Sequence, residues 1–198
     1  MRTKLLVTAL LVCSVPAFAA FDVPDIGPSS ADCIGCPAAL RIEPNGQGPT
    51  LADVGVEIVV TVLDASGNPI AGYPFQDIWL DDLQNGELNV CQGGSVADRN
   101  TDATGVSVFT GAIAGGGFSQ AGMLVYLAGQ ALPQFVLEID VNSPDITGDL
   151  TVNMADVGAF AAGYATPELD FEIDLLADGL ENLGDIGALA AAFGTTCR

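Results

Sequence analysis

The C-terminal part of the chain contains one twelve-residue pattern twice, and this duplication constrains the fold more than any other feature. The first copy covers residues 145–156 and the second covers residues 174–185. Both carry Asp, Asp, Asn and Asp at positions 1, 5, 9 and 12. Self-similarity of this kind indicates a duplicated structural unit. The spacing is typical of a loop that wraps oxygen ligands around Ca²⁺.

Each loop offers its own set of candidate calcium ligands, because a tight loop directs oxygen atoms inward at alternating positions. The predicted ligands of the first loop are the side chains of Asp145, Thr147, Asp149 and Asp156 and the backbone carbonyl of Thr151. Those of the second loop are the side chains of Asp174, Asp178 and Asp185 and the carbonyl of Leu180. Asn153 and Asn182 are expected to orient the loops or to hold a ligating water.

Each loop also departs from the usual pattern at one position. Leu150 occupies position 6 of the first loop, where Gly normally permits a sharp turn, so the loop must adopt a costly dihedral angle or relax. Leu176 replaces the oxygen-bearing residue at position 3 of the second loop, which keeps Gly179 at position 6. We therefore expect dissociation constants in the extracellular range of roughly 10⁻⁴–10⁻³ M.

A short helix is predicted after each loop, with an apolar stripe that repeats between the copies. The stripes comprise Met154, Val157, Phe160, Ala161 and Tyr164 in the first helix and Leu183, Ile186, Leu189, Ala190 and Phe193 in the second. These offsets place each stripe on one helical face. We expect the two stripes to pack against each other.

The residues between 38 and 141 follow a β pattern. Candidate strands cover residues 39–42, 54–63, 73–80, 88–91, 106–113, 123–127 and 135–140. Turn-forming residues separate them, and no helical pattern is present. Strands at this spacing predict a β-sandwich of about a hundred residues.

Two segments of this region resemble bacterial immunoglobulin-like domains of surface and secreted proteins. They are Val-Thr-Val-Leu-Asp-Ala-Ser-Gly-Asn-Pro-Ile-Ala-Gly at 60–72 and Thr-Asp-Ala-Thr-Gly-Val-Ser-Val-Phe at 101–109. The resemblance implies a mainly β, Ig-like sandwich with a spacer or adhesive role. Trp79, the single tryptophan, is expected in the core; the alternative is a sugar-stacking platform with Tyr73 and Phe75.

The repeats within residues 142–198 resemble the dockerin domain, through the motif D-x-x-x-D-x-x-V/E-N-x-x-D. This resemblance implies a small all-α pair of calcium loop–helix repeats that attaches the chain to a cohesin-like protein or to another extracellular protein. Loop positions 10 and 11, which often carry hydroxyl groups used in cohesin recognition, are Met154-Ala155 and Leu183-Gly184 here. Calcium binding is thus the better supported expectation.

The N-terminus predicts export from a bacterial cell. Arg2 and Lys4 precede an apolar run that is too short to span a bilayer, and Ala17-Phe18-Ala19 is a small-x-small cleavage site. A lipoprotein signal would need a small residue before Cys13, where Val12 lies. The predicted organisation is a signal peptide at 1–19, a Cys-containing leader without regular structure at 20–37, the Ig-like domain at 38–141 and the dockerin-like repeats at 142–198.

Charge and composition exclude several classes of function. Cleavage after residue 19 would remove two of the five basic residues and no acidic ones, so the formal charge would change from −20 to −22. Such an acidic chain repels nucleic acid and anionic membrane surfaces, and no membrane span is predicted. Histidine, the usual general base and nucleophile activator, is absent. We therefore expect no enzymatic activity.

Four cysteines would remain in the exported protein, namely Cys33, Cys36, Cys91 and Cys197. An even number outside the cytoplasm predicts two disulfides, with three connectivities possible. The favoured prediction joins one of Cys33 and Cys36 to Cys91 and the other to Cys197; a local Cys33–Cys36 bridge is the competitor. A zinc site would need a second CxxC, and the sequence has none.

Three hypotheses follow for the function. The first is a secreted, non-enzymatic calcium-binding protein that mediates attachment or assembly at the cell exterior. The second is a structural surface or matrix protein whose repeats form a docked terminal cap without a cohesin partner. The third is a carbohydrate-binding module built on the aromatic residues around Trp79.

Overall fold

The structure is a computed structural model that describes residues 23–82, 87–132, 136–166 and 168–197. The predicted signal peptide lies outside the described residues. The strands are β1 (Ser30–Ile34), β2 (Ala38–Arg41), β3 (Glu57–Thr61), β4 (Ile78–Asp82), β5 (Leu88–Val90), β6 (Val106–Phe109), β7 (Gly115–Gly117), β8 (Met123–Leu127), β9 (Gln130–Ala131) and β10 (Ile139–Asn142). The helices are α1 (Met154–Tyr164) and α2 (Leu183–Ala192), with 3₁₀ turns at Ala52–Val54 and Phe75–Asp77.

The described strands form four small sheets. Strands β1, β3 and β6 make an antiparallel sheet in that order, and β4, β8 and β9 make a second. Strands β5 and β7 pair antiparallel, whereas β2 and β10 pair parallel with Ala38 opposite Ile139. Strands far apart in the sequence are therefore neighbours in space.

The predicted Ig-like sandwich is wrong. Such a sandwich consists of two antiparallel sheets that pack face to face, and the four sheets here are smaller and include a parallel pair. The 3₁₀ turn Phe75–Asp77 lies within the segment 73–80 that is predicted as one strand, and the turn Ala52–Val54 overlaps the first residue of the segment predicted at 54–63. The strands that follow these turns are shorter than predicted, at Ile78–Asp82 and Glu57–Thr61.

The predicted all-α pair of dockerin-like repeats is also not seen. Within the described residues after β10, only α1 and α2 are α-helical, and the loops and the link between them are irregular. Thr151 of the first loop instead forms an isolated antiparallel bridge with Thr196. The loop backbone donates hydrogen bonds to aspartate side chains, which holds the loops outside helical geometry.

The leader at 20–37 also differs from the prediction of a segment without regular structure. It contains β1, whose Ser30 lies opposite Thr61 of β3. The sequence of β1 has low strand propensity, so the pairing depends on tertiary contacts with β3.

Two hydrophobic clusters hold the described chain together. The larger joins the β-strands and includes Leu40, Ile58, Leu80, Val125 and Ile139. The smaller belongs to the repeats and consists of Ile146, Val152, Phe160, Ile173, Leu175, Leu189 and Ala192. Residues of the loops and of the segment before the second loop make up much of this second cluster, so the buried residues of the two helices share one core with them. Met154 and Leu183, predicted to be packed, are 68% and 81% exposed.

The favoured disulfide pairing is wrong. Cys33 bonds to Cys36, and Cys91 bonds to Cys197, which lies 106 residues further along the chain. The first bridge joins residues on either side of the turn between β1 and β2. The second attaches the C-terminal residues to the segment after β5.

Among the described residues, no helix is long and apolar enough to cross a membrane.

Candidate metal centre

The first loop folds around the side chain of Asp145, which follows β10 closely and is fully buried. Its Oδ1 accepts a hydrogen bond from the amide of Asp149 at 3.2 Å, and its Oδ2 accepts one from the amide of Leu150 at 2.7 Å. The carboxylate at position 1 therefore orients the backbone of positions 5 and 6.

The other end of the loop is closed by Asp156, which is also fully buried. Its Oδ1 accepts hydrogen bonds from the backbone amide and from Oγ1 of Thr147, both at 2.9 Å. Its Oδ2 accepts from the amide of Asn153 at 2.8 Å. The predicted ligands at positions 3 and 12 are thus in direct contact.

The second loop repeats this hydrogen bonding almost bond for bond. Asp174 accepts from the amides of Asp178 at 3.1 Å and Gly179 at 2.9 Å. Asp185 accepts through Oδ1 from the amide of Leu176 at 3.1 Å and through Oδ2 from the amide of Asn182 at 2.8 Å. The hydroxyl of Thr147 has no counterpart, because the equivalent residue is Leu176.

Both loops use left-handed backbone at positions 4 and 6. In the first loop these are Gly148 and Leu150, each with φ of 67°. In the second they are Ala177 with φ of 51° and Gly179 with φ of 76°. Of the two alternatives predicted for Leu150, the costly dihedral angle is the one observed. A side chain disfavours this region by about 1–2 kcal/mol.

The remaining predicted ligands lie along the same loops. The Oδ1 atoms of Asp149 and Asp178 accept hydrogen bonds from the amides at position 7, both at 2.9 Å. The carbonyls of Thr151 and Leu180 accept from the Nδ2 atoms of the position-9 asparagines, at 2.9 and 3.2 Å.

The asparagines at position 9 act as helix caps. Asn153 Oδ1 accepts from the amide of Ala155 at 2.8 Å, and Asn182 Oδ1 accepts from the amide of Gly184 at 2.7 Å. The aspartate at position 12 completes each capping box, as it accepts from the amide of the same asparagine. The last loop carboxylate therefore also begins the helix that follows.

Burial and mutual repulsion disfavour the charged form of Asp145 in the first loop. Burial and, to a lesser extent, the charges of Asp156 and Asp149 together raise the pKa of Asp145 to about 6, against the lowering effect of the hydrogen bonds from the Leu150 and Asp149 amides. Asp185 is fully buried and Asp174 is 5% exposed in the second loop. The ion pair between Arg41 and Glu43 lies outside the loops.

The chemistry of the loops suits a hard cation. Carboxylate, hydroxyl and carbonyl oxygens are the ligands that Ca²⁺ prefers, and the predicted donors consist only of these. Buried carboxylates without cationic partners are costly unless an ion neutralises them. Across the described residues, no three Asp, Glu, Cys or His side chains are already arranged to hold one ion together.

The β-strands contribute contacts to both loops that sequence reasoning missed. The amide of Gly117 in β7 donates to the carbonyl of Asp145 at 2.6 Å. The side chain of Asn142, at the end of β10, donates to the carbonyl of Asp174, also at 2.6 Å. The first residue of each loop is therefore anchored by a residue outside the two loops. The Gly115–Gly117 run signals a close backbone approach, whereas nothing in the sequence singles out Asn142.

A separate groove lies beside Trp79. It has a volume of about 540 Å³ and is lined by Phe75, Gln76, Trp79, Val90, Cys91, Gln92, Gly93, Ser95 and Val96. The indole of Trp79 is half-buried and stacks on Tyr126, with ring centroids 5.5 Å apart and an interplanar angle of 11°. Trp79 therefore lies outside the core, and no lining residue of the groove carries a charge.

Comparison of the chain with protein-family models, curated proteins and solved structures finds no significant match. The resemblance to dockerin therefore rests on its sequence motif alone, and the four small sheets do not match the fold that the immunoglobulin-like resemblance implied.

Proposed function

We propose that this protein is an exported, non-enzymatic calcium-binding protein of the cell exterior, in which each repeat binds one Ca²⁺. One observation carries the proposal. Two copies of a loop bury the carboxylates of positions 1 and 12 and wrap the intervening backbone around them in the same way. Two disulfides are consistent with an oxidising compartment.

Calcium would act mainly as a folding ligand. A bound cation removes the repulsion among buried carboxylates, and its binding free energy adds to the stability of the folded state. Asp145, Thr147, Asp149, Thr151 and Asp156 would hold the ion of the first loop. Asp174, Asp178, Leu180 and Asp185 would hold that of the second.

The direct test is a calcium titration by isothermal calorimetry on the chain from Phe21 onward, treated first with chelator. We expect two sites, of which Asp156→Ala removes one and Asp185→Ala removes the other. Sr²⁺ should substitute for Ca²⁺ better than the smaller Mg²⁺, which dehydrates reluctantly. Absence of binding heat in the wild-type chain would refute the proposal.

An exposed apolar groove between the two helices offers a surface for attachment to a partner protein. Val157, Ile186, Leu189, Ala190 and Phe193 line an apolar groove of about 350 Å³ between the helices. Ile186 and Phe193 are 40% and 49% exposed, and contiguous exposed apolar surface is typical of interaction sites. Because the chain carries a formal charge of −20, the suitable partner is an extracellular protein with an apolar contact surface and a basic rim.

Binding to purified cohesin domains, measured by surface plasmon resonance with calcium and with chelator, tests this part separately. Ile186→Asp should abolish binding, and Leu169→Asp, an exposed residue outside the groove, should leave it unchanged. No binding to any cohesin would favour the docked-cap hypothesis, which the Cys91–Cys197 bridge and the Asn142 contact also support.

A second candidate function is binding of a neutral saccharide in the groove beside Trp79. The aromatic faces of Trp79 and Phe75 suit the C–H face of a sugar ring, and Gln76 and Gln92 offer amide groups to its hydroxyls. A charge-free groove on so acidic a chain favours an uncharged ligand. Fluorescence of the single tryptophan during titration with soluble glucans and xylans tests this function. No spectral change, and equal retardation of wild type and Trp79→Ala in polysaccharide gels, would refute it.

A further inference from the structure

The contacts between the β-strands and the loops have a consequence for metal binding. We propose that β5, β7 and the end of β10 are structural parts of the two calcium sites, because they position the first ligand of each loop. This inference rests on the proposed calcium binding and adds Asn89, Gly116 and Asn142 as positioning residues.

The first loop lies against the β5–β7 pair on several sides. The Gly117 amide donates to the carbonyl of Asp145, and Asn89 Nδ2 donates to the carbonyl of Gly148 at 3.0 Å. Ser143 Oγ accepts from the amide of Asp145 at 3.1 Å and lies 3.4 Å from the carbonyl of Gly115. Loop positions 1 and 4 are therefore both held by the strands.

Gly116 provides the most specific of these contacts. A Cβ atom at this position would lie 1.8 Å from Oδ2 of Asp145 and 2.5 Å from its Cγ. The φ angle of Gly116 is not in the left-handed region, so the backbone itself would accept alanine. The absence of a side chain is needed only because the Asp145 carboxylate occupies that space. Alanine would have to displace the ligand at position 1.

The second loop is anchored in a different way that has the same result. Asn142 is 2% exposed, and its Nδ2 donates to the carbonyls of Asp174 and Phe171 at 2.6 and 3.1 Å. Asn142 also lies in β10, opposite Arg41 of β2. One side chain therefore connects the parallel pair to the first residue of the second loop.

Residues that orient a metal ligand without touching the metal change affinity, and binding must in turn stabilise their positions. Calcium in the first loop should thus order β5 and β7. Calcium in the second loop should order the end of β10. Calcium binding in the loops would then order the contacting β-strands as well.

The test uses the full exported chain with Asp185→Ala, in which calorimetry reports only the first loop. Adding Gly116→Ala should weaken calcium binding about tenfold or more, the usual effect of losing such a positioning contact. Adding Asn89→Ala should weaken it less. Adding Gly158→Ala, where a Cβ would meet no atom within 4 Å, should leave the affinity of the Asp185→Ala parent unchanged.

A second readout follows the strands themselves. Calcium should slow hydrogen exchange of the Gly117 amide in the Asp185→Ala parent, and this effect should be lost with Gly116→Ala. If Gly116→Ala does not fold, Asn89→Ala decides, because the Asn89 side chain is exposed. The inference is overturned if the parent binds calcium while both variants bind equally well and Gly117 exchange ignores calcium. No binding by the parent and the wild type would instead refute the proposed function itself.

Discussion

The two loops have the same internal hydrogen bonds but different external supports. The first lies against β5 and β7, and its Leu150 carbonyl also accepts hydrogen bonds from the Cys197 amide at 3.3 Å and Thr196 Oγ1 at 3.1 Å. The second is held by Asn142, while Leu176 and Leu180 are 47% and 62% exposed. The backbone hydrogen bonds to the aspartates are thus the same in both copies, and the two loops differ in the residues outside them that hold them in place.

The largest expected effect comes from the Cys91–Cys197 bridge, which fixes the C-terminal residues that contact the first loop and closes a ring that contains both loops. Replacing Cys91 and Cys197 with serine should lower the free energy of unfolding by about 4–5 kcal/mol, because a ring of this size restricts the unfolded chain strongly. Denaturant titration under calcium checks this value. The Cys33→Ser/Cys36→Ser pair, which closes only a short ring, should cost less than half as much. Equal losses would contradict the prediction.

The next largest expected effect is that of pH on stability when the first loop holds no metal. Since burial raises the pKa of Asp145 in the folded state from its ordinary value of 3.8 to about 6, the folded state binds the proton more tightly than the unfolded state. Stability in chelator should therefore fall as the pH rises from about 4 to about 6, by about 3 kcal/mol from this group. Asp145→Asn, neutral throughout, should lack this component. Parallel stability profiles of wild type and variant would contradict the assignment.

The loss of stability on removal of calcium should be shared equally by the two loops if the hydrogen bonds within each loop determine calcium affinity. At a calcium concentration a hundredfold above the dissociation constant, each site contributes about 2.7 kcal/mol to stability. Asp156→Ala and Asp185→Ala should each lose one such share of the calcium-dependent stabilisation, and the double variant should lose both. Asp32→Ala, an exposed aspartate in β1, is the control. Unequal shares would indicate that external support governs affinity.

The smallest expected effect concerns backbone strain at positions 4 and 6. Ala177 is exposed with φ of 51°, so Ala177→Gly should stabilise the second loop by about 0.5 kcal/mol. Gly179→Ala, with φ of 76° and open space around it, should destabilise it by about 1 kcal/mol. Thermal unfolding with chelator measures both. Changes of the same sign would show that strain is not the cause.

Local patterns predicted the local parts of this molecule well. The two helices begin at Met154 and Leu183, the tenth position of each loop and the first residue of each predicted apolar stripe. The left-handed backbone at Leu150 follows from the missing glycine. Both features depend on residues close together in the chain. The placement of the strands β3, β5 and β8 near predicted segments has the same origin.

Long-range pairing could not be read from the same patterns. Strand β7 consists of three glycines, which carry no strand propensity, and β2 pairs in parallel with β10, about a hundred residues away. Disulfide connectivity depends on distances in the folded chain, so the four cysteines alone left it open. The anchoring of both loops by Asn142 and Gly117 has the same long-range character.

The Cys91–Cys197 bond has one more consequence, for a repeat that opens locally. Both loops lie inside the covalent ring that this bond closes, so a repeat that opens remains tethered beside β5. The tether keeps the partners at a high effective concentration, in the millimolar range for short flexible connections. Recapture of the loop is then an intramolecular step that does not depend on protein concentration. If the loops bind calcium as proposed, a repeat that opens on loss of its ion can close again when the ion returns.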